Sequence, residues 1–228
     1  MNIDRLIVGV DDAGRGCIIG PLFIGGVSIE ERTSEKLRSL GVKDSKLLTP
    51  ASRERLFSLI IELSESHVVL SIPPTEIDEF VRHRKKHTKL NYLEAIYMAR
   101  VIDRLEGEVA YVDASDTDVR IYSEQIKENL HKSISIVATH HADRIFPVVS
   151  AASILAKVSR DREIERIKLE LGDFGSGYPS DPRTIEFLKQ WIEKHGKPPP
   201  YTRQSWKTWK RVGNQTSAEH VGDQGSLL

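Results

Sequence analysis

The fold of this chain can be predicted from residues 6–16, LIVGVDDAGRG, and from the run that follows them. The segment Leu6–Val10 is apolar and rich in β-branched side chains, which is typical of a buried strand. Asp11 and Asp12 come directly after it. A second apolar run, Leu22–Ile29, begins soon enough to pair with the first. These residues therefore predict a sheet in which two carboxylates stand at the end of a strand.

Further strands and helices alternate along the chain, which predicts an α/β domain with a mixed sheet. Thr49 and Asp181, each followed by proline, are typical helix N-caps, and Gly172 is typical of a helix end. Thr75 and Asp78 resemble a capping box. The predicted strands are Val68–Ile72, Val109–Val112 and Ile134–Ala138, and the predicted helices cover residues 50–65, 91–105, 148–171 and 182–195.

The helix predicted at residues 148–171 begins with the small residues 150–153, SAAS. Small side chains let a helix backbone lie close to a sheet. We expect a catalytic domain over residues 1–172 and a helical extension over residues 173–212. Residues 213–228 are polar and lack periodicity, so we expect a disordered tail there.

Composition narrows the function classes without deciding among them. The 228 residues carry 33 basic and 33 acidic side chains, so net charge neither requires nor excludes a nucleic-acid partner. The single cysteine, Cys17, permits no intramolecular disulfide, and we expect a cytoplasmic protein with Cys17 in a loop or core. Residues 1–10 lack the apolar run of a signal peptide, and no apolar run is long enough to span a membrane.

Acidic residues recur where predicted strands end. Asp11 and Asp12 share this position with Asp113 and Asp143. Ligands of open α/β sheets bind beyond the strand ends, and carboxylates gathered there would repel one another. A hard divalent cation such as Mg²⁺ relieves this repulsion, and two such ions can promote phosphodiester hydrolysis. The alternative is that each aspartate forms a turn or helix cap, which is the interpretation we give Asp116 and Asp118.

A Gly14-Arg15-Gly16 loop follows the acidic pair. Glycine permits close approach of backbone to a ligand, and consecutive amides can hold a phosphate or sugar oxygen. The loop lacks the Gly-Lys-Ser/Thr ending of a P-loop and the third glycine of a dinucleotide fingerprint. Both of those nucleotide sites are therefore excluded.

Six blocks of sequence, in order, resemble the signature of type 2 ribonuclease H (ribonuclease HII) in its archaeal form. The first is residues 10–16 with 19–21, VDDAGRG and IGP. The others are VKDSK at 42–46, YVD at 111–113, HHAD at 140–143, FPVVSAASILAK at 146–157 and GSGYPSDPRT at 175–184. Together the blocks cover nearly the whole chain, from residue 6 to about 211.

The resemblance implies a fold and an activity. The fold is ribonuclease H-like: a five-stranded mixed sheet flanked by helices, with a C-terminal helical extension. The activity is endonucleolytic hydrolysis, with Mg²⁺ or Mn²⁺, of the RNA strand of RNA/DNA hybrids and 5′ of ribonucleotides embedded in duplex DNA. Two metals would act, and the products would carry a 3′-hydroxyl and a 5′-phosphate.

The resemblance also implies site residues. Asp11, Asp12, Asp113 and Asp143 correspond to the metal-binding catalytic acids. Gly14, Arg15 and Gly16, together with Tyr178, correspond to the residues that recognise the 2′-hydroxyl and adjoining sugar. A tyrosine suits this role because its ring can stack while its hydroxyl bonds to the group that separates RNA from DNA. A core position for Tyr178 is the alternative.

Two residues depart from the family pattern. Asp12 stands where the family usually has glutamate, and a side chain shorter by one methylene puts the rate and metal preference in question. His141 stands where the family tends to have lysine. His141 can be interpreted either as a surface histidine beside the site or as a metal ligand.

Basic residues cluster in two predicted loops and a third region that could bind phosphate backbones. The first loop has Lys43 and Lys46, which with Ser45 between them are candidate substrate-binding residues, and the second has Arg82, Arg84, Lys85, Lys86 and Lys89. The third region has Arg203, Lys207, Lys210 and Arg211, interleaved with Trp206 and Trp209. The tryptophans, three residues apart, favour packing on one helix face over base stacking. The charged run from Arg82 could equally be a solvated surface.

Three further expectations concern partners and rival functions. We expect a monomer. Gln224 and Leu227 have the spacing that begins a sliding-clamp-binding peptide, although no aromatic anchor follows and chance explains the pair as well. A junction resolvase on the same fold and a non-catalytic nucleic-acid-binding protein are the rival functions. Equal cleavage of all-DNA substrates would favour the first, and binding without Mg²⁺-dependent cleavage the second.

Overall fold

The structure, a computed structural model, describes residues 5–42, 48–83 and 89–212. The chain divides into two compact units. One, here called the sheet unit, comprises residues 1–13, 23–71 and 85–160. The other, the loop unit, comprises residues 14–22, 72–84 and 161–228.

Within the described residues, five strands form one mixed sheet, as predicted. They are β1 (Leu6–Ala13), β2 (Leu22–Glu30), β3 (Ser66–Ile72), β4 (Val109–Asp113) and β5 (Ser135–Thr139), in the spatial order β3-β2-β1-β4-β5. β1 runs antiparallel to β2 and parallel to β4, and β4 runs parallel to β5. The C-terminal ends of β1, β4 and β5 therefore face the same edge of the sheet.

The helices of the part of the chain that the structure describes are α1 (Glu31–Ser39), α2 (Pro50–Leu63), α3 (Pro74–His83), α4 (Lys89–Asp103), α5 (Val119–Glu128), α6 (Ala142–Ile145), α7 (Pro147–Leu171) and α8 (Pro182–His195). Residues 207–212 are also helical. The predicted N-caps Thr49 and Asp181 are confirmed, since each side chain accepts a backbone N–H of its helix. Asp118 caps α5 in the same way.

Sequence reasoning missed α1, α5 and α6. The N-cap of α1, Glu30, makes no side-chain hydrogen bond to the helix, so the sequence carries no capping signal there. α6 has only four residues, too few for a hydrophobic period to be visible.

The prediction that small residues bring α7 close to the sheet is confirmed. A Cβ added to Gly9 of β1 would lie 2.2 Å from the carbonyl oxygen of Val148, and one added to Gly25 of β2 would lie 2.6 Å from that of Ala152. No side chain fits at those distances, so glycine on the strands is what allows the contact. The first half of α7 is thereby fixed against the strands that end in the acids.

The loop unit has an apolar core of its own. Its fully or nearly fully buried members are Ile18, Ile19, Ile164, Ile167, Phe174, Leu188 and Val212. Trp209 packs against this core, which confirms packing over base stacking for that residue. Cys17 is fully buried, in keeping with the expected core position.

The predicted capping box at Thr75 and Asp78 is wrong. α3 begins at Pro74, which places Thr75 inside the helix. The Asp78 carboxylate instead accepts the backbone N–H groups of Gln204 and Ser205, at 2.7 and 2.9 Å. A local sequence pattern could not show this, because the partners lie about 126 residues away.

Among the helices of the described ranges, none combines the length and apolarity needed to cross a membrane.

Candidate active site

Asp11 and Asp12 lie at the end of β1, the central strand of the sheet. Asp11 is 5% exposed, and its Oδ1 accepts the N–H of Asp12 at 2.7 Å. Ser153 of α7 also hydrogen-bonds to the Asp11 carboxylate, and Lys157 in turn donates to the Ser153 hydroxyl at 3.2 Å. The first acid is thus held by both its own strand and the helix behind the sheet.

Asp113 lies beside this pair because β4 is parallel to β1, with Val112 in register with Val10. Its Oδ1 accepts the N–H of Ala142 at 2.7 Å. Ala142 begins α6, whose next residue is Asp143, 5% exposed. His141 makes the turn into α6 in the left-handed conformation, with φ of 57°. The hydrogen bond from the Ala142 N–H therefore holds the third acid next to the residue that precedes the fourth.

The carboxylates interact strongly with one another. Burial, with repulsion from Asp12 and Asp113, raises the pKa of Asp11 well above its ordinary value. Burial is the main cause that raises the pKa of Asp113; the hydrogen bond from the Ala142 N–H lowers it, and repulsion from Asp143 and Asp12 adds to the increase. His141 acts in the opposite direction on the pKa of Asp113. The structure therefore brings all four predicted acids into one electrostatic cluster.

The donor set fits a hard divalent cation. It consists of carboxylate oxygens, and burial and repulsion leave two of them with raised pKa values, a cost that a bound cation would offset. In residues 5–42, 48–83 and 89–212, no three His, Cys, Asp or Glu side chains are arranged to hold an ion by themselves. Mg²⁺ usually takes one or two carboxylates and completes its shell with waters and substrate phosphates, so this arrangement fits it.

Asp116 provides a contrast within the sheet unit. It accepts hydrogen bonds from the Asn91 amide at 2.6 Å, the Asp118 N–H at 3.1 Å and the Thr117 hydroxyl at 3.3 Å. Burial raises the pKa of Asp116, but these hydrogen bonds outweigh it and lower the pKa overall. Its interpretation as a turn residue, and that of Asp118 as a cap, are confirmed.

In the loop unit, Gly14, Arg15 and Gly16 lie in a tight turn closed by a hydrogen bond from the Cys17 N–H to the Gly14 carbonyl, at 3.2 Å. Gly14 has φ of 89°, a conformation that favours glycine. The ring of Tyr178 lies over Gly16, 3.6 Å from where a Cβ would stand. The structure thus brings these four predicted substrate-binding residues together.

Arg203 is a residue whose role sequence reasoning missed. The sequence places Arg203 among basic residues that could bind a phosphate backbone, yet its side chain is fully buried. Its guanidinium donates to the carbonyl oxygens of Gly14 and Arg15, each at 2.8 Å, and of Gly20 at 2.9 Å. Those partners are more than 180 residues away in sequence, so no local pattern could have indicated the contact.

Several other predicted candidates lie outside the described residues. These are Lys43, Ser45 and Lys46, the basic residues 84–88, and the peptide Gln224–Leu227. Arg82 is described, and it pairs with Asp78 at 3.5 Å.

Comparison with solved structures defines the class of protein. The ribonuclease H2 from Pyrococcus horikoshii OT3 is 44% identical and superposes with a TM-score of 0.85 over 93% of this chain and 99% of that one. The ribonuclease HII in a PCNA:RNase HII complex from Archaeoglobus fulgidus is 43% identical, with a TM-score of 0.81 over 90% of this chain and 96% of that one. The chain therefore has the ribonuclease H-like fold.

The sequence comparisons define the family within that class. The family model for ribonuclease HII matches residues 8–209, and a ribonuclease HII from Pyrococcus horikoshii is 45% identical over 90% of this chain and 92% of its own length. The chain belongs to the ribonuclease HII family, a family of hydrolytic endoribonucleases.

Proposed function

We propose that this chain cleaves the RNA strand of RNA/DNA hybrids and cuts on the 5′ side of ribonucleotides embedded in duplex DNA. The products would carry a 3′-hydroxyl and a 5′-phosphate. The observation that carries the proposal is the cluster of Asp11, Asp12, Asp113 and Asp143, in which burial and mutual repulsion raise two carboxylate pKa values. Such a cluster is costly for folding alone and is typical of a functional site.

Asp11, Asp12, Asp113 and Asp143 would hold two Mg²⁺ or Mn²⁺ ions when substrate is present. When bound, the ions would supply Lewis acidity at the phosphodiester and stabilise the charge that develops on the leaving oxygen. Asp11 and Asp113 are the central members, because burial and neighbouring acids raise the pKa of both. The hydrogen bonds from the Asp12 N–H and Ala142 N–H fix the orientation of their carboxylates.

Ribonucleotide recognition is proposed for Gly14, Arg15, Gly16 and Tyr178. The contact of the Tyr178 ring with Gly16 supports the assignment. It places an aromatic ring beside a backbone segment that a substrate can approach closely, because Gly16 has no side chain. A 2′-hydroxyl both donates and accepts hydrogen bonds. Backbone amides and a tyrosine hydroxyl together offer the matching groups.

Lys43, Ser45 and Lys46 remain predictions as phosphate-backbone contacts. The monomeric state, a cytoplasmic location and the boundaries 1–172, 173–212 and 213–228 remain predictions as well.

A sliding clamp is a further proposed partner, supported by the Archaeoglobus fulgidus relative described in complex with PCNA. Gln224 and Leu227 would supply the contact. Aromatic anchors usually provide most of such an interface. If Gln224 and Leu227 are the whole contact, we expect weak binding, or none, in calorimetry of these 228 residues against an archaeal clamp; tight binding would place the contact elsewhere.

One cleavage experiment tests the main proposal. Three duplexes of one sequence are compared with and without Mg²⁺: all DNA, DNA with a single ribonucleotide, and an RNA/DNA hybrid. We expect Mg²⁺-dependent cleavage of the second and third, with the cut of the second on the 5′ side of the ribonucleotide. Equal cleavage of the all-DNA duplex would favour a resolvase, and binding without cleavage would favour a non-catalytic protein.

A further inference from the structure

The guanidinium of Arg203 hydrogen-bonds to three backbone carbonyl groups of the Gly14–Gly20 segment. Its three donors reach the carbonyls of Gly14, Arg15 and Gly20 at 2.8–2.9 Å, and its own N–H donates to the Ile18 carbonyl at 2.8 Å. The side chain is fully buried, and its guanidinium carbon lies 5.1 Å from the ring centre of Trp206. A buried charge is tolerated only when it is well hydrogen-bonded, and these carbonyls meet that condition.

The positions of the carbonyls determine where the amides of this loop point. In a planar trans peptide the C=O and the following N–H point in opposite directions. Because Arg203 draws the Gly14 and Arg15 carbonyls towards itself, the N–H groups of Arg15 and Gly16 are turned away from it. A charged donor on a carbonyl also polarises the peptide and strengthens the N–H as a donor.

Asp78 of α3 holds the turn that carries Arg203. Its carboxylate is 5% exposed and accepts the N–H groups of Gln204 and Ser205 and the Ser205 hydroxyl, the last at 2.6 Å. Arg82 pairs with the same carboxylate at 3.5 Å. The backbone immediately after Arg203 is thus fixed by a second buried charged group.

We infer that Arg203 is a positioning residue for ribonucleotide recognition: held by Asp78, it orients and polarises the Arg15 and Gly16 amides for the substrate. The inference rests on the proposed role of the Gly14–Gly16 backbone. It predicts that loss of Arg203 weakens the preference for a ribonucleotide beyond any loss of folded protein. A purely structural Arg203 would alter stability and leave the preference unchanged.

The preference can be measured under turnover with Mg²⁺. KM is determined for a DNA duplex with a single ribonucleotide, and Ki for the same duplex without it as a competitor. The ratio Ki/KM then reports ribonucleotide recognition and does not depend on the concentration of active enzyme. Thermal unfolding is recorded for every variant.

We expect Arg203→Met to lower Ki/KM at least tenfold. Arg203→Lys should restore part of the ratio, because an ammonium cannot form the planar fork that reaches three carbonyls. Asp78→Asn should lower the ratio about threefold, since an amide holds the 204–205 turn less firmly than a carboxylate. Arg166→Met is the control at a half-exposed arginine of the same unit. Arg166 contacts Glu163, Glu170 and Tyr201, and the ratio should not change.

The outcomes separate this inference from the proposed function. Wild-type Ki/KM near one would show that the chain does not recognise ribonucleotides, and the proposed function would fail first. A wild-type ratio well above one, retained in folded Arg203→Met or, if that variant does not fold, in folded Arg203→Lys and Asp78→Asn, would overturn the inference alone.

Discussion

The sheet unit and the loop unit bury charged groups in opposite ways. In the sheet unit, Asp11 is buried and Asp113 is half-buried beside other acids, and the pKa values of both are raised. In the loop unit, Arg203 and Asp78 are buried too, but both have hydrogen-bond partners. A carboxylate that lies beside other carboxylates, with its pKa raised, is typical of a site that is completed by a ligand. Burial with matched partners indicates a group that holds other atoms in place.

Asp113 and Asp116, three residues apart in the sheet unit, show the same contrast. Asp113 has a raised pKa and neighbouring carboxylates, whereas Asp116 has a lowered pKa and hydrogen-bond donors. If the interpretation is right, removing these two charges has opposite consequences for activity and for stability.

The largest effect is expected for Asp113→Asn. Cleavage of a duplex with a single ribonucleotide should fall at least a hundredfold, because a ligand carboxylate is lost, while the isosteric amide preserves the fold. Initial rates with Mg²⁺, together with thermal unfolding, measure both effects. Asp116→Asn is the matched control and should keep cleavage within about threefold. More than about a tenth of wild-type turnover in Asp113→Asn, with one decade being ~1.4 kcal/mol, would contradict the assignment.

Tyr178→Ala should produce the next largest effect. Cutting at a single ribonucleotide should fall about tenfold more than cutting of a long RNA/DNA hybrid, because the hybrid offers many registers and the single site only one. Tyr178→Phe keeps the ring over Gly16 and removes only the hydroxyl, so its loss should be smaller. Parallel rate measurements on the two substrates give the comparison. Equal losses on both would assign Tyr178 to packing of the loop unit.

The dependence of stability on pH sharpens the contrast between Asp113 and Asp116. Because the pKa of Asp113 is raised in the folded chain, its contribution to stability is present below the ordinary aspartate pKa of about 3.9 and is lost as pH rises through the folded value. The lowered pKa of Asp116 gives the reverse: stability is present above the ordinary value and is lost as pH falls through the folded one.

Denaturant unfolding between pH 3.5 and 7, with EDTA present, measures this dependence. Asp113→Asn should gain free energy of unfolding relative to wild type as pH rises, and Asp116→Asn should lose it, on the order of 1 kcal/mol for a buried hydrogen-bonded group. If the free energies of unfolding of the two variants, each relative to wild type, changed with pH in the same direction, the proposed difference between Asp113 and Asp116 would be refuted.

The smallest effect is expected for Asp12→Glu, which restores the family's usual side chain. The Asp12 carboxylate now accepts the Ser115 hydroxyl at 3.2 Å, and a longer acid would extend further into the cluster. We expect a gain of a few-fold in the Mg²⁺-dependent rate, with a smaller gain for Mn²⁺. Titration of both metals against both proteins tests this. A slower enzyme would show that the site has adapted to the shorter acid.

The sequence by itself determined most strands of the sheet and predicted the four acids of the proposed site. Apolar runs of β-branched residues ending in aspartate predicted β1 and β4 and placed Asp11, Asp12 and Asp113 at strand ends. The caps Thr49, Asp118 and Asp181 were also predictable. Strand periodicity and N-capping depend on residues that are neighbours in the chain, so they can be seen in one sequence.

Only the tertiary structure decided which charged groups lie beside like charges and which have hydrogen-bond partners. Asp78 had the pattern of a capping box and Arg203 that of an exposed phosphate ligand, yet both are buried and bind backbone more than 120 residues away. The raised pKa of Asp113 and the lowered pKa of Asp116 likewise depend on burial and on groups brought together by folding. Contacts between residues far apart in sequence, and the loss of water from a side chain, arise only when the sheet and helices pack together. A local pattern of residues therefore cannot predict them.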